Sequence, residues 1–272
     1  MSTARSIPVA IIAARPWRRY ARAIEARLYI VNGSHPCLAV ARALDLKGIP
    51  YRTVELPPPL HAPTMRLLFG RRTVPGIKIT GEKLSGSSAI MRRLEQLAPE
   101  PPLFPADPEA RARVDQAEAW GEDVFQPLGR RLFWPAMKRN PAAAPTYARD
   151  AKLKLPPAVV RAGMPLIARA EIALNKASDD AARADLAALP GYLDRIDGWI
   201  ADGVLGGEQP NAADLQIFTT LRLLMTLGDL RPLVAGRPAE AAAMRLFPDL
   251  AGEMPAGALP AEWLPAPAAG AA

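Results

Sequence analysis

Cysteine is almost absent from this chain: Cys37 is the only one in 272 residues. That excludes an intrachain disulfide and a cysteine-rich metal site, and it fits a reducing compartment. The expectation is a cytoplasmic protein without metal. Long hydrophobic runs are missing as well. The longest uncharged apolar run near the start, Ile7 to Ala14, has eight residues and includes a proline, far short of the roughly 20 that span a bilayer. It also makes a poor secretory signal, because Arg15-Pro16-Trp17-Arg18-Arg19 follows where small residues belong. Excess positive charge is missing from the body. Arg5, Arg15, Arg18, Arg19, Arg22 and Arg27 face Glu25 alone, so five of the seven net positive charges lie in residues 1–27. The remainder is near neutral, which argues against a nucleic-acid-binding body. The basic start reads as a disordered extension; the alternative is an amphipathic helix over residues 16–27 for an anionic surface.

What is present is organised around Leu28 to Gly48. Leu28 to Val31 is apolar and partly β-branched, a short buried strand. Asn32-Gly33 breaks it. Ser34 then stands as a helix cap able to accept a backbone N–H, and Pro36 is tolerated in the first turn, where its missing N–H has no partner to lose. Leu38, Ala41 and Leu44 give the helix an apolar face; Lys47 and Gly48 close it as a C-terminal cation and a left-handed cap. Ser34 therefore sits where free N–H groups and the positive end of the helix dipole favour an anion, a thiolate included.

Tyr51 to Leu56 alternates as a second strand, so a right-handed βαβ unit with parallel strands is expected. The stiff Pro57-Pro58-Pro59 loop leads to His61 and a short helix over residues 64–69. A third strand enters at Val74-Pro75, a hairpin turn at Gly81-Glu82 gives a brief fourth, and Ser85 to Ser88 opens a helix. Residues 99–108 hold five prolines and read as a linker. Beyond them strand patterns stop. Periodicity predicts helices near 108–135, 158–178, 181–202, 212–227 and 236–246, with Asn211 and Asp214 as a capping box. The expected domains are 1–27 (basic extension), 28–98 (thiol-binding domain), 99–107 (linker), 108–264 (all-helical domain) and 265–272 (disordered tail).

The residues resemble the glutathione S-transferases, and near Ser34 their theta class. Leu28-Tyr29 with Ser34-His35-Pro36-Cys37 is similar to the theta strand and its Ser-x-Pro-Cys turn; Val74-Pro75 looks like the family's Val-cisPro. Ser87-Ser88-Ala89-Ile90, Ala112-Arg113-Val114-Asp115 with Trp120, and Asn211-x-x-Asp214 resemble later motifs in the same order. The resemblance implies an α/β plus all-α architecture: a thioredoxin-like N-terminal domain followed by the all-helical C-terminal domain of a glutathione transferase, working in detoxification as a homodimer. It implies glutathione as co-substrate, with no metal, no nucleic acid and no membrane span. Ser34 would be the activating hydroxyl. His61, Thr73, Val74, Pro75 and Ser87 would bind the thiol peptide, His61 near its glycine end, Val74 through its backbone, and Ser87 at the γ-glutamyl carboxylate. Arg130, Arg131 and Trp134 are candidates for the electrophile pocket. Two positions depart from the pattern. Gly86 stands where the family has Glu or Gln to hold the γ-glutamyl ammonium, and Thr73 stands where theta sequences often have Lys. The thiol is therefore glutathione or an analogue.

Two other functions compete with the transferase. Ser34-His35-Pro36-Cys37 occupies the Cys-x-x-Cys slot of thiol–disulfide oxidoreductases, but the first cysteine is serine. A non-catalytic binding protein on the same fold is the other, since fold does not settle function.

Overall fold

A computed structural model describes residues 24–58 and 60–265. Residues 1–23 of the expected basic extension, Pro59 of the proline loop and residues 266–272 of the expected tail lie outside the described residues.

The first domain runs β1 (Ala26–Ile30), α1 (His35–Lys47), β2 (Tyr51–Glu55), α2 (His61–Phe69), β3 (Gly76–Ile79), β4 (Glu82–Ser85) and α3 (Ser87–Leu97). The sheet order is β2-β1-β3-β4; β1 pairs parallel with β2 and antiparallel with β3. The parallel pair follows from the strand–helix–strand order, which needs a crossover. The antiparallel pair β3–β4 closes through Thr80 (φ 49°) and Gly81 (φ 82°), a tight turn with two left-handed residues. Leu28, Ile77 and Ile79 of the sheet pack on Val40 and Leu44 of α1 and on Ile90 and Leu94 of α3, all at most 1% exposed.

β1 starts at Ala26 and ends at Ile30, displaced toward the amino terminus from the strand expected at Leu28 to Val31. The expected extension therefore ends too late. Ile24 (5% exposed) and Ala26 (1%) belong to the core. A Leu28 boundary misses them because Arg27, paired with Glu25 at 3.4 Å, breaks the apolar pattern while pointing outward. A chain starting at Ala26 is accordingly expected to be less stable than one starting at Ile24 by about 1.5–3 kcal/mol, the value of one buried aliphatic side chain. Equal midpoints in urea denaturation would show that Ile24 contributes nothing.

The second part is helical: α4 (Pro108–Trp120), a π-helical turn (Gly121–Phe125), α5 (Gln126–Arg139), α6 (Ala144–Tyr147), α7 (Pro157–Asn175), α8 (Asp179–Ala201), α9 (Ala212–Met225), α10 (Arg231–Val234) and α11 (Pro238–Leu246). The first expected helix is thus interrupted by a π turn. α6 and α10 are too short for periodicity to reveal. Among the described residues no helix is long and apolar enough to cross a membrane.

α9 is the central helix, every residue of it buried, packed on α1 as well as on α4 and α5. Its start is the expected capping box. Asn211 Oδ1 accepts the Ala213 and Asp214 N–H groups at 2.9 and 3.1 Å, and Asp214 accepts those of Asn211 and Gly206 at 2.8 and 2.7 Å. Burial pushes the Asp214 carboxyl up to about 6. Trp120 stacks on Phe125 at 5.1 Å and meets Tyr192 and Trp199 edge-on.

Candidate active site

Strand register brings the candidate residues to one end of the sheet. Tyr29 stands opposite Gly76, so the chain leaving β1 toward Ser34 runs beside Val74-Pro75, which enters β3 through a cis peptide bond. Gly76 stands opposite Ser85 on β4, and the Gly86 N–H donates to Pro75 C=O at 3.0 Å. Ser34, Val74 and Ser87 therefore converge, because each follows or precedes a paired strand end. Among the described residues neither the N–H nor the C=O of Val74 has a backbone partner.

Ser34 differs from its expected role as a cap. Its side chain accepts no helix N–H; the Cys37 and Leu38 N–H groups donate to its carbonyl instead, at 3.0 and 3.1 Å. Its hydroxyl bears on the Cys37 thiol. That thiol is 3% exposed, and burial pushes it up to about 12 despite the Ser34 side chain and the Val31 backbone. Cys37 is thus a neutral buried thiol and Ser34 the half-buried polar group above it.

His35 is buried, its Nε2 has no partner, and burial together with Arg130 holds its imidazole well below the ordinary value. His61, expected near a glycine end, lies against the second domain. Its Nε2 lies 3.7 Å from Glu171 Oε1 on α7, and burial lowers its pKa. Both imidazoles are therefore neutral at physiological pH. His61 is occupied with the second domain because α2 packs where Glu171, itself 8% exposed, comes down from α7. Thr73 is exposed at the entrance to Val74. Of the three electrophile-pocket candidates, Arg130 alone is brought to the Ser34 turn. Arg131 is committed to Asp185 on α8 at 2.6 and 2.8 Å, and Trp134 packs edge-on against Phe133 at 5.1 Å.

Ser87 is 2% exposed and meets a buried amide chain that sequence reasoning missed. Gln126 Nε2 donates to Gln216 Oε1 at 2.6 Å and lies 3.4 Å from Ser87 Oγ; Arg130 donates to Gln126 Oε1 at 3.3 Å. Gln216 Nε2 and Glu118 Oε1 are buried without partners. A sequence signal existed. Glu118, Glu122, Gln126 and Arg130 recur every four residues, a polar stripe along a helix that is otherwise core.

The arrangement is a thioredoxin-like domain, a mixed four-stranded sheet with helices, followed by a helical domain whose α4 and α5 roof the sheet end. That is the fold of glutathione transferases. Residues 28–102 match the glutathione S-transferase N-terminal domain family. Solved structures of the same fold include a glutathione S-transferase from Rhodospirillum rubrum F11 (20% identity, TM-score 0.52, covering 81% of this chain and 85% of that one). The β-etherase LigF from Sphingobium sp. strain SYK-6 is similar at 17% identity and TM-score 0.54, over 81% and 93%. A theta class glutathione S-transferase from Xanthomonas axonopodis pv. citri, solved with glutathione bound, is similar at 19% identity and TM-score 0.51, over 81% and 91%. No curated protein matches the chain. Together these findings show the glutathione transferase fold, with the family match lying in the first domain.

Proposed function

We propose that this chain joins an electrophile to the sulfur of a small thiol peptide, glutathione or an analogue, with Ser34 stabilising the thiolate. The observation that supports this reading is the convergence of Ser34, the unpaired Val74 backbone and Ser87 at one sheet end. Each has a distinct use. The Val74 N–H and C=O suit an extended peptide added as a strand. Ser87, at the start of α3, suits a carboxylate among free helix N–H groups. A free thiol titrates near 8.5, so little is ionised at neutral pH. The Ser34 hydroxyl, donating to sulfur beside the N-terminus of α1, shifts that balance toward the thiolate. The bound peptide supplies the nucleophilic sulfur; a carbon–sulfur bond forms as the carbon–halogen bond of a halide substrate breaks and halide departs with the pair. The thiol proton passes to solvent. Detoxification of electrophiles is the corresponding role.

The neutral, buried Cys37 disfavours the oxidoreductase alternative, which needs an accessible thiolate. Retention on immobilised glutathione, with elution by free glutathione, tests the reading directly. Passage through the column, together with no shift in Tm on adding small thiols, would remove it.

A further inference from the structure

We infer that the outward face of α7 docks on an anionic lipid surface, with the helix lying in the plane of the headgroups. The inference is independent of the thiol chemistry.

The sequence of α7 shapes that face. Val160, Met164, Ala168 and Glu171 recur every three or four residues and point inward; the first two pack on the core and the last two are buried. On the opposite side Val159, Ala162, Gly163, Leu166, Ala170 and Ala173 are all exposed. A Cβ built on Gly163 meets nothing within 4 Å. The helix is therefore apolar outward as well as inward, whereas a helix lying on a globular body ordinarily turns polar residues to water. The approach to α7 continues the pattern. Of the seven large apolar residues exposed among the described ones, four fall in this stretch: Leu153 (61% exposed), Leu155 (48%), Val159 (52%) and Leu166 (71%). Scattered exposed apolar residues need no explanation, but a cluster marks an interaction site.

Charge decides what covers it. Residues 151–178 carry Lys152, Lys154, Arg161, Arg169 and Lys176 against Glu171 alone. Glu171 is turned inward toward His61. The ion pairs that flank the stretch, Arg149–Asp150 and Arg183–Asp180, use none of the five cations. Lys152 and Lys154 donate through their ammonium groups to the carbonyls of Thr53 and Arg149, and the Lys152 N–H donates to Glu55. With its one acid hidden, the stretch presents positive charge at both ends of an aliphatic crest and along it. A second copy of this chain fits poorly there. In a two-fold contact the patch meets itself, and its cations would face one another with no acid between them. A protein partner also lacks a hold: the crest has no Trp or Tyr anchor, and the clefts beside Arg42 and at the β3–β4 turn lie elsewhere. A convex helix with an aliphatic crest and basic flanks suits an anionic bilayer. The crest enters the acyl boundary while the long basic side chains reach the phosphates.

Cosedimentation of the full chain with vesicles tests this, using phosphatidylcholine alone and phosphatidylcholine with roughly one-third phosphatidylglycerol. The wild-type chain is expected to bind the anionic vesicles roughly tenfold or more tightly than the neutral ones, and to lose that preference in high salt. Leu166→Ser is expected to weaken binding to the anionic vesicles roughly tenfold, the scale of one aliphatic side chain removed from the membrane, with Tm unchanged. Leu166→Glu is expected to weaken it further. Replacing Arg161 and Arg169 by Ala is expected to cost roughly fivefold for each cation. A wild-type chain that stays in the supernatant overturns the inference. So does binding that survives both Leu166 variants, which would come from another part of the chain. Self-association in sedimentation velocity that Leu166→Ser abolishes, without vesicle binding by the wild type, would assign the face to a second copy instead.

Discussion

Ser34→Ala is expected to slow conjugation of glutathione to a chlorinated aromatic or alkyl halide roughly 10- to 150-fold, and Cys37→Ala to leave the rate within a few-fold. The first figure is the loss of one hydrogen bond to a charged acceptor, about 1.5–3 kcal/mol, expressed as a rate. Because the Ser34 side chain caps no helix N–H, its removal is expected to cost little stability. Cys37 stands on the opposite footing. It is buried beneath Ser34 with its thiol pushed up to about 12, so it stays neutral. Cys37→Ala therefore lowers Tm through lost packing more than it lowers the rate. The pH profile of kcat/KM separates a thiolate effect from a general disturbance. In Ser34→Ala the alkaline rise moves upward by about 1–2 pH units, one unit for each 1.4 kcal/mol of thiolate stabilisation lost. A Cys37→Ser variant without turnover beside an active Ser34→Ala would reverse the two roles and bring the oxidoreductase alternative forward.

The sequence was most informative where one local rule sufficed. The strand–turn–helix around Ser34, the hairpin after β3 and the Asn211–Asp214 box each follow from a few neighbouring residues, and all three form, the hairpin turning at Thr80-Gly81, one residue before the expected Gly81-Glu82, because Glu82 already pairs with Ile79. Long helices were legible from periodicity. The features that were not legible depend on residues distant in the chain. Glu122 reaches the space beside Gly86, 36 positions earlier, where no side chain stands. His61 meets Glu171, and Gln126 meets Gln216, across far longer gaps in sequence. The missing side chain at Gly86 looks like a loss when read along the chain. In three dimensions a carboxylate from another domain stands beside it. The positive φ at Gly86 also changes what substitution there would do: Gly86→Glu would strain the backbone and set a second carboxylate against Glu122.

Lys47→Met is expected to destabilise the fold by about 3–5 kcal/mol, the scale seen when one partner of a buried ion pair is removed. In sequence Lys47 reads as a cation at the negative end of α1. In the fold it is 0% exposed and lies under the linker. Its ammonium pairs with Glu95 of α3 and donates to the carbonyls of Pro99 and Pro101 at 3.2 and 2.7 Å. Prolines lack N–H groups, so this linker cannot pair its carbonyls in regular structure, and the lysine supplies the donors instead. Glu95 completes the arrangement by accepting the Leu103 N–H at 2.9 Å, where the linker turns toward α4. Burial lowers the Lys47 pKa, with Glu95 opposing the shift, so the site depends on the pair being kept together. Methionine preserves most of the stem volume while leaving the Glu95 carboxylate and the Pro99 and Pro101 carbonyls without the lysine donor. For a chain of this size the cost corresponds to a fall in Tm of roughly 6–15 °C. Glu95→Gln alone is expected to cost less, because glutamine still offers an oxygen to Lys47 and to Leu103. The double variant is expected to lose less than the sum of the two, since the charge left unpaired by the first substitution is removed by the second. A loss below about 1 kcal/mol in Lys47→Met, or strict additivity in the double variant, would mean that the linker is held by its own packing and that the buried lysine is incidental.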